Sequence, residues 1–251
     1  TIVKSLRSQS MEGQFFSLYI LEGQYGSGKT TVARILALAA NCEKKDGKGN
    51  PCLACERCRA VLSANSSDYM EVDAASNTGV EKARQLIEDV GYMQAFLKKK
   101  IYIIDEAHML SKAAFNSLLK TLEEAPEYAM FILCTTEKDA IPLTIQSRAA
   151  SYTFQKIPEE DIGKHLLEAG KREYPETLLE PEAISIISAH SDGSMRNALS
   201  LLEQAATCGD VTLENAAKML GTADASEMTA FISCLSGRLS PVCFSGIWMR
   251  R

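Results

Sequence analysis

The sequence predicts an α/β fold: a parallel sheet carrying a phosphate loop, with a cysteine-rich insertion, followed by a small α-helical domain. Three observations predict it. Gly23-Gln24-Tyr25-Gly26-Ser27-Gly28-Lys29-Thr30 fits G-x-x-x-x-G-K-[ST] between an apolar run and an amphipathic one. Ile101 to Ile104 is a second apolar run, and it ends on Asp105-Glu106. From Pro158 onward, every periodic segment has helical spacing.

Composition narrows the class. The chain has 251 residues, 46% of them hydrophobic, enough for one large or two small domains with real cores. No apolar run reaches the roughly 18–20 residues that span a bilayer. The first fourteen residues hold no apolar stretch of the kind a signal peptide needs, so the expected location is cytoplasmic and the expected partners exclude membrane. The formal net charge of −5 argues against a free-standing nonspecific DNA binder, which is usually basic. Any contact with nucleic acid is expected to be local or shared with partner subunits.

The elements follow in order. Residues 1–16 carry little pattern, although Ile2, Val3 and Leu6 could line one helical face. Ser17 to Leu21 reads as a buried strand. The loop after it must wrap closely around phosphate, so side chains are expected to be absent at Gly23, Gly26 and Gly28 while backbone N–H groups, including that of Ser27, point at the anion. Lys29 is expected to reach the outer phosphates of ATP, and the Thr30 hydroxyl to ligate Mg²⁺. Thr31 opens a helix to Ala40 whose positive dipole end faces the same anion, with Val32, Ile35, Leu36 and Ala39 on its inner face.

Eight cysteines are present, and Cys42, Cys52, Cys55 and Cys58 are spaced C-x9-C-x2-C-x2-C around a polar loop. The x2 steps let thiolates converge on one ion, and a hairpin returns Cys42 to close a Cys₄ shell. A structural Zn²⁺ suits such a closed soft-ligand set best. An iron–sulfur cluster and metal-free reduced thiols remain as alternatives. Cys134, Cys208, Cys234 and Cys243 read as ordinary buried thiols. The lysines of this loop, with Arg57 and Arg59, give a local basic patch that reads as a solvated face.

Tyr69 to Ala74 reads as a strand. Ser76-Asn77-Thr78 is a turn and helix-cap candidate, and a helix runs to about Val90 with Val80, Ala83, Leu86, Ile87 and Val90 at helical spacing. Lys98 to Lys100 reads as a charged strand entrance. Asp105 and Glu106 follow Thr30 by roughly 75 residues, at the end of their strand. In phosphate-loop ATPases the first carboxylate holds Mg²⁺ through water and the second polarises the attacking water, and these two residues fit those roles. His108 reads as a local hydrogen-bonding residue. A helix from Ser111 to Glu124 puts Phe115, Leu118, Leu119 and Leu122 inward, and Pro126 stops it. Met130 to Cys134 is a strand ending on Thr135-Thr136, and a short strand follows at Tyr152 to Phe154. Helices are expected at 159–169, 181–190, 194–207, 212–220 and 226–235, while 239–251 has no assignable pattern. The expected domains are 1–157, with the cysteine module at about 42–58, then 158–221, with 222–251 unassigned. Arg196 falls in the first turn of its helix, where a cation is unfavourable, and this invites a functional explanation.

The assembled motifs resemble the ATPase subunit (gamma/tau) of the bacterial DNA polymerase III clamp loader, an AAA+ protein. The similarity runs from about Tyr19 to Leu220 and includes the cysteine module after the phosphate-loop helix. Glu71 to Asn77, Ile104 to Ser111, Leu118 to Glu124 and Gly193 to Ser200 also carry it. The resemblance implies an AAA+ sheet with an inserted zinc module and a helical lid. It implies ATP, Mg²⁺ and Zn²⁺ as cofactors. The implied partners are other clamp-loader subunits in a hetero-oligomer, a sliding clamp and primed DNA. It implies that Thr136, rather than Thr135, is sensor 1. By the same resemblance Arg148 of Ser147-Arg148 enters a neighbouring subunit's ATP site, although Ala149 stands where the family has Cys. Arg196 is implied to be sensor 2, with a hand on the γ-phosphate. The positions of Asn77 and Lys82 make them candidates for DNA contact. Family members also carry a longer N-terminal segment against the adenine and a helical collar after the lid. The chain is expected to lack most of the first and to hold at most part of the second. Two other readings share some motifs: a non-hydrolysing AAA+ scaffold subunit and a fragment of an Asp-Glu-Ala-His helicase.

Overall fold

A computed structural model describes residues 2–76 and 80–221. The cap at Asn77, the side chain of Lys82, the helix expected at 226–235, the unassigned 239–251, Cys234 and Cys243 lie outside the described residues. The chain divides into two units, Thr1–Gln155 and a second that begins at Lys156.

In the first unit five strands of the described residues form one parallel sheet: β1 Leu18–Gly23, β2 Tyr69–Asp73, β3 Lys100–Asp105, β4 Ala129–Thr135 and β5 Ala150–Phe154. Their order is β2-β3-β4-β1-β5. The helices are α1 Ile2–Glu12, α2 Lys29–Asn41, α3 Glu56–Leu62, α4 Val80–Val90, α5 Lys112–Glu123 and α6 Leu143–Gln146. A parallel sheet needs cover on both faces, so its strands read as continuous apolar runs rather than alternating ones. The period of two then sorts each run. Leu18, Ile20, Tyr102, Ile104, Phe131 and Leu133 join Leu86 of α4 and Phe115, Leu118 and Leu122 of α5 on one side. Tyr19, Leu21, Ile101, Ile103, Met130 and Ile132 join Ala33, Leu36 and Ala37 of α2 and Val61 of α3 on the other. Each fully buried aliphatic or aromatic side chain contributes about 1.5–3 kcal/mol of transfer free energy.

Several expectations change in detail. The weakly patterned N-terminus forms α1, tied down where Ser10 Oγ donates to the Gly49 carbonyl at 2.6 Å. Helix α3, not read from the sequence, begins at the residue after Cys55 and carries Cys58. Ile35 faces outward at 47% exposure, and the small residues Ala33, Ala37 and Ala40 take the inner face of α2 instead. Lys100 is inside rather than at a charged entrance: it is 3% exposed, and its Nζ donates to the carbonyls of Asp89 and Tyr92 and pairs with Asp89 Oδ2 at 3.1 Å. Cys134 is buried as expected, but Cys208 is exposed. Asp68 is also buried. It accepts the backbone N–H groups of Ala95, Phe96 and Leu97, which fixes the turn that feeds β3.

The second unit consists, among the described residues, of α7 Glu159–Glu173, α8 Pro181–His190, α9 Met195–Thr207 and α10 Leu213–Leu220. Ser194 and Thr212 accept N–H groups in the first turns of α9 and α10. Ile162, Leu166, Ile184, Ile187, Leu202 and Val211 form its own core.

Candidate nucleotide-binding site

Strand order decides where the site can be. β4 lies between β1 and β3, so the loops leaving β1 and β3 flank the end of β4. Ligands of open parallel sheets bind outside the carboxyl ends of the strands, and the motif residues all stand there.

The three loop glycines are required for different reasons. A Cβ on Gly23 would sit 2.7 Å from both the Cβ and the carbonyl oxygen of Phe154 on β5. Gly26 and Gly28 instead have φ of 71° and 92°, a backbone conformation that favours glycine. Ser27 is buried, and its hydroxyl donates to the Gln24 carbonyl at 2.7 Å, bracing the turn. Lys29 is 5% exposed and curls back so that Nζ donates to the carbonyls of Gly23 (2.8 Å) and Gln24 (3.0 Å). Thr30 follows it on α2, with Thr31 exposed beside it.

The Thr30 hydroxyl donates to Asp105 Oδ2 at 2.8 Å across 75 residues of sequence. These are two hard oxygen donors within one coordination sphere of each other, and such a pair fits Mg²⁺. Glu106 stands next to them in a left-handed backbone conformation, φ 50° and ψ 44°, rare for a residue with a side chain. Burial raises its carboxyl above the usual range, and the Asp105 charge raises it further against the opposing Lys29. Tyr25 of the loop also acts on the Glu106 carboxyl and works against that rise, a neighbour that the loop pattern gives no reason to expect. Its ring centroid is 5.6 Å from Lys29 Nζ.

The end of β4 completes this cluster. Thr135 is fully buried and Thr136, one residue past the strand, is half-buried. His108 lies between them and Glu106: Nδ1 is 3.2 Å from Thr135 Oγ1 and 3.5 Å from Glu106 Oε2, while Nε2 is 3.5 Å from Thr136 Oγ1. Arg148 is exposed, and its Nη1 donates to the carbonyl of Glu123, the last residue of α5, at 3.0 Å. In the second unit Arg196 is exposed at the second residue of α9.

The four cysteine Sγ atoms of Cys42, Cys52, Cys55 and Cys58 lie within 4.8 Å of one another. Tetrahedral Zn²⁺ with Zn–S of about 2.3 Å needs S···S of roughly 3.8 Å, so the set fits that ion with small adjustment. The Cys52 and Cys55 amides donate to Cys42 and Cys52 sulfur, each at 3.3 Å. The Ala54 and Cys55 backbone N–H groups pull the Cys52 thiol down to about 6. Such donors favour thiolate, the form a metal needs. Among the described residues no helix is long and apolar enough to cross a membrane.

Comparison with known proteins follows the same division. A family model described as "DNA polymerase III, delta subunit" matches residues 1–158, and one described as "DNA polymerase III clamp loader subunit, ATPase lid domain" matches residues 164–211. The chain is 40% identical over 88% of its length to DNA polymerase III subunit gamma of Buchnera aphidicola subsp. Schizaphis graminum. It is 42% identical over 84% to subunit tau of Bacillus subtilis and 39% identical over 89% to subunit tau of Escherichia coli K12. It spans 60%, 37% and 34% of those three proteins. Among solved structures, the Thermotoga maritima RuvB Holliday junction branch migration motor superimposes with a TM-score of 0.61, covering 87% of this chain and 66% of that one. At 17% identity this shows the fold alone.

Proposed function

Because the chain belongs to the DNA polymerase III clamp-loader family of AAA+ proteins, we propose that it is an ATPase motor subunit of such a loader, using ATP binding and hydrolysis to load a sliding clamp onto primed DNA. One observation carries the reading: Lys29, Thr30, Asp105 and Glu106 are all present, and Thr30 meets Asp105 at 2.8 Å. A scaffold subunit has no need of that set. The "delta subunit" description of residues 1–158 lends the scaffold reading some weight, but the relatives at about 40% identity are gamma and tau subunits. The helicase reading needs a second sheet domain, and residues 156–221 form helices.

The proposed roles follow the geometry. Lys29 would leave the Gly23 and Gln24 carbonyls for the outer phosphates, and the backbone from Gly23 to Gly28 would surround them with N–H groups. Thr30 and Asp105 would hold Mg²⁺, directly and through water. The ion supplies neutralisation of charge between the β- and γ-phosphates. Glu106 would accept a proton from the attacking water, and its raised pKa suits a base. Thr136 is proposed as sensor 1, Arg148 as the arginine acting on a neighbouring subunit's ATP, and Arg196 as the lid arginine that answers to the γ-phosphate. The four cysteines are proposed to hold one structural Zn²⁺. Partner subunits, a clamp and primed DNA complete the working assembly, in the cytoplasm.

The test is ATP turnover and clamp loading by the complex reconstituted with partner subunits, clamp and primed DNA. Turnover stimulated by clamp and DNA, and abolished by Lys29→Ala, is expected. Turnover that is absent in the wild type, or unchanged by Lys29→Ala, overturns the reading.

A further inference from the structure

We infer that His108 is a positioning residue that ties the Glu106 carboxylate to the end of β4, so that the side chain proposed to activate water takes its orientation from Thr135 and Thr136. The inference rests on the ATPase reading and adds a residue to it.

Proton counting on the hydroxyl of Thr135 sets the direction of the network. Thr135 Oγ1 lies 3.0 Å from both the Glu137 carbonyl and the Glu137 amide. A hydroxyl has one proton, and the Glu137 carbonyl can only accept, so that proton goes to it. Thr135 Oγ1 then accepts from the Glu137 amide and has one lone pair left for His108 Nδ1, 3.2 Å away. With the hydroxyl proton directed to the Glu137 carbonyl, the ring proton is assigned to Nδ1. That assignment fixes the other nitrogen: in a neutral ring Nε2 is an acceptor, and the Thr136 hydroxyl, at 3.5 Å, is its donor.

The same Nδ1–H is the group nearest the orphaned part of Glu106. Glu106 Oε2 is buried and has no hydrogen bond, yet it lies 3.5 Å from Nδ1. A buried carboxylate oxygen without a donor is costly, so a small ring rotation toward it is favourable. Catalytic hydrogen bonds are commonly long before substrate is bound and tighten with it. When Thr136 is drawn to a ligand outside the strand ends, the ring loses its Nε2 donor and becomes free to turn its Nδ1–H onto Oε2. His108 would thereby report the state of the β4 end to Glu106. The Ala107–Met109 turn in which His108 sits keeps the ring captive: Met109 N donates to the Glu106 carbonyl at 2.8 Å.

Two measurements test this. The chain contains three histidines, so nitrogen NMR of the imidazoles can isolate His108 by comparison with His108→Ala. The free chain is expected to show the Nδ1–H tautomer for that ring; the Nε2–H tautomer overturns the inference. In the reconstituted complex, His108→Ala is expected to lower ATP turnover by at least tenfold with the nucleotide Kd within twofold of wild type. Partial recovery is expected in His108→Asn, whose amide can still donate toward Oε2. Thr135→Val, which keeps shape and loses the hydroxyl, should lower turnover in the same direction and should not multiply with His108→Ala in the double variant. Turnover unchanged in His108→Ala, a Kd weakened as much as turnover, or fully multiplicative effects would each overturn it. Lys29→Ala serves as the control. If wild type and Lys29→Ala turn over ATP equally, the ATPase reading fails; if only the His108 variants match wild type, this inference fails alone.

Discussion

Thr30 on α2 donates its hydroxyl hydrogen bond to Asp105 at the end of β3, at 2.8 Å and 75 residues apart in sequence. The strand whose loop leads to Thr30, β1, is not a neighbour of β3 in the sheet, because β4 lies between them. The contact between Thr30 and Asp105 therefore depends on the reach of each side chain over the end of β4. The expected consequence is a split effect. Asp105→Asn should weaken Mg²⁺-dependent ATP binding by about 10–100-fold, the usual cost of losing an outer-shell metal partner. Binding of ATP measured in excess EDTA should change far less. Titration calorimetry in both buffers checks this, and equal losses in both would show that Asp105 acts by holding the fold.

Gly23 is expected to be intolerant of even one methyl group. Alanine there would meet Phe154 Cβ and its carbonyl oxygen at 2.7 Å, and neither β1 nor β5 can easily yield inside a parallel ladder. Gly23→Ala should cost about 1–3 kcal/mol, as overpacking does. Thermal unfolding reads the loss, and an unchanged melting temperature would contradict the geometry.

The cysteine centre predicts a stoichiometry. Purified chain should carry one Zn²⁺, measured by plasma emission spectrometry, and Cys58→Ser should carry none. Cys58 is fully buried against the α2–α3 side of the core, so its loss should also lower the melting temperature. Iron in place of zinc, or no metal in a chain with unchanged melting temperature, would contradict the assignment.

Asp68 gives the pH dependence. Burial works to raise its carboxyl, but the Leu97, Phe96 and Ala95 amides and the Lys100 charge outweigh it and hold the carboxyl below the ordinary range. With a depressed folded value, its contribution is present above the unfolded carboxylate pKa of about 3.9 and is lost as pH falls through the lower folded value. Asp68→Asn should cost about 1–3 kcal/mol at neutral pH, since one of the two accepting oxygens becomes an NH₂ donor facing a backbone N–H and the charge opposite Lys100 is lost. It should also flatten the acid side of the stability profile. Denaturant unfolding at pH 7 and pH 3 checks both, and an Asp68→Asn profile parallel to wild type would refute the charge's role.

Much of this site could be read before folding because its chemistry is local in sequence. A phosphate loop needs its glycines, lysine and threonine within eight residues, and a carboxylate pair at a strand end needs an apolar run before it. Strand order was not legible, since nothing within β1 says that it pairs with both β4 and β5. The inner face of α2 was misread at Ile35 because Ile35-Leu36-Ala37-Leu38-Ala39-Ala40 is apolar all round, and periodicity then gives no direction. Lys100 looked like solvent-facing charge because Asp89 and the carbonyls that satisfy it become neighbours only in the fold. His108 was legible as a hydrogen-bonding residue, but its position between Glu106 and Thr135 depends on β3 and β4 pairing in register.

The most direct measurement is a crystal structure of the chain with Mg²⁺ and a non-hydrolysable ATP analogue. The account predicts the metal on Thr30 Oγ1 at about 2.1 Å, with Asp105 one water away and Lys29 Nζ moved from the Gly23 carbonyl to the outer phosphates. A triphosphate bound away from the Gly23–Thr30 loop, or a metal held without Thr30 and Asp105, would contradict it.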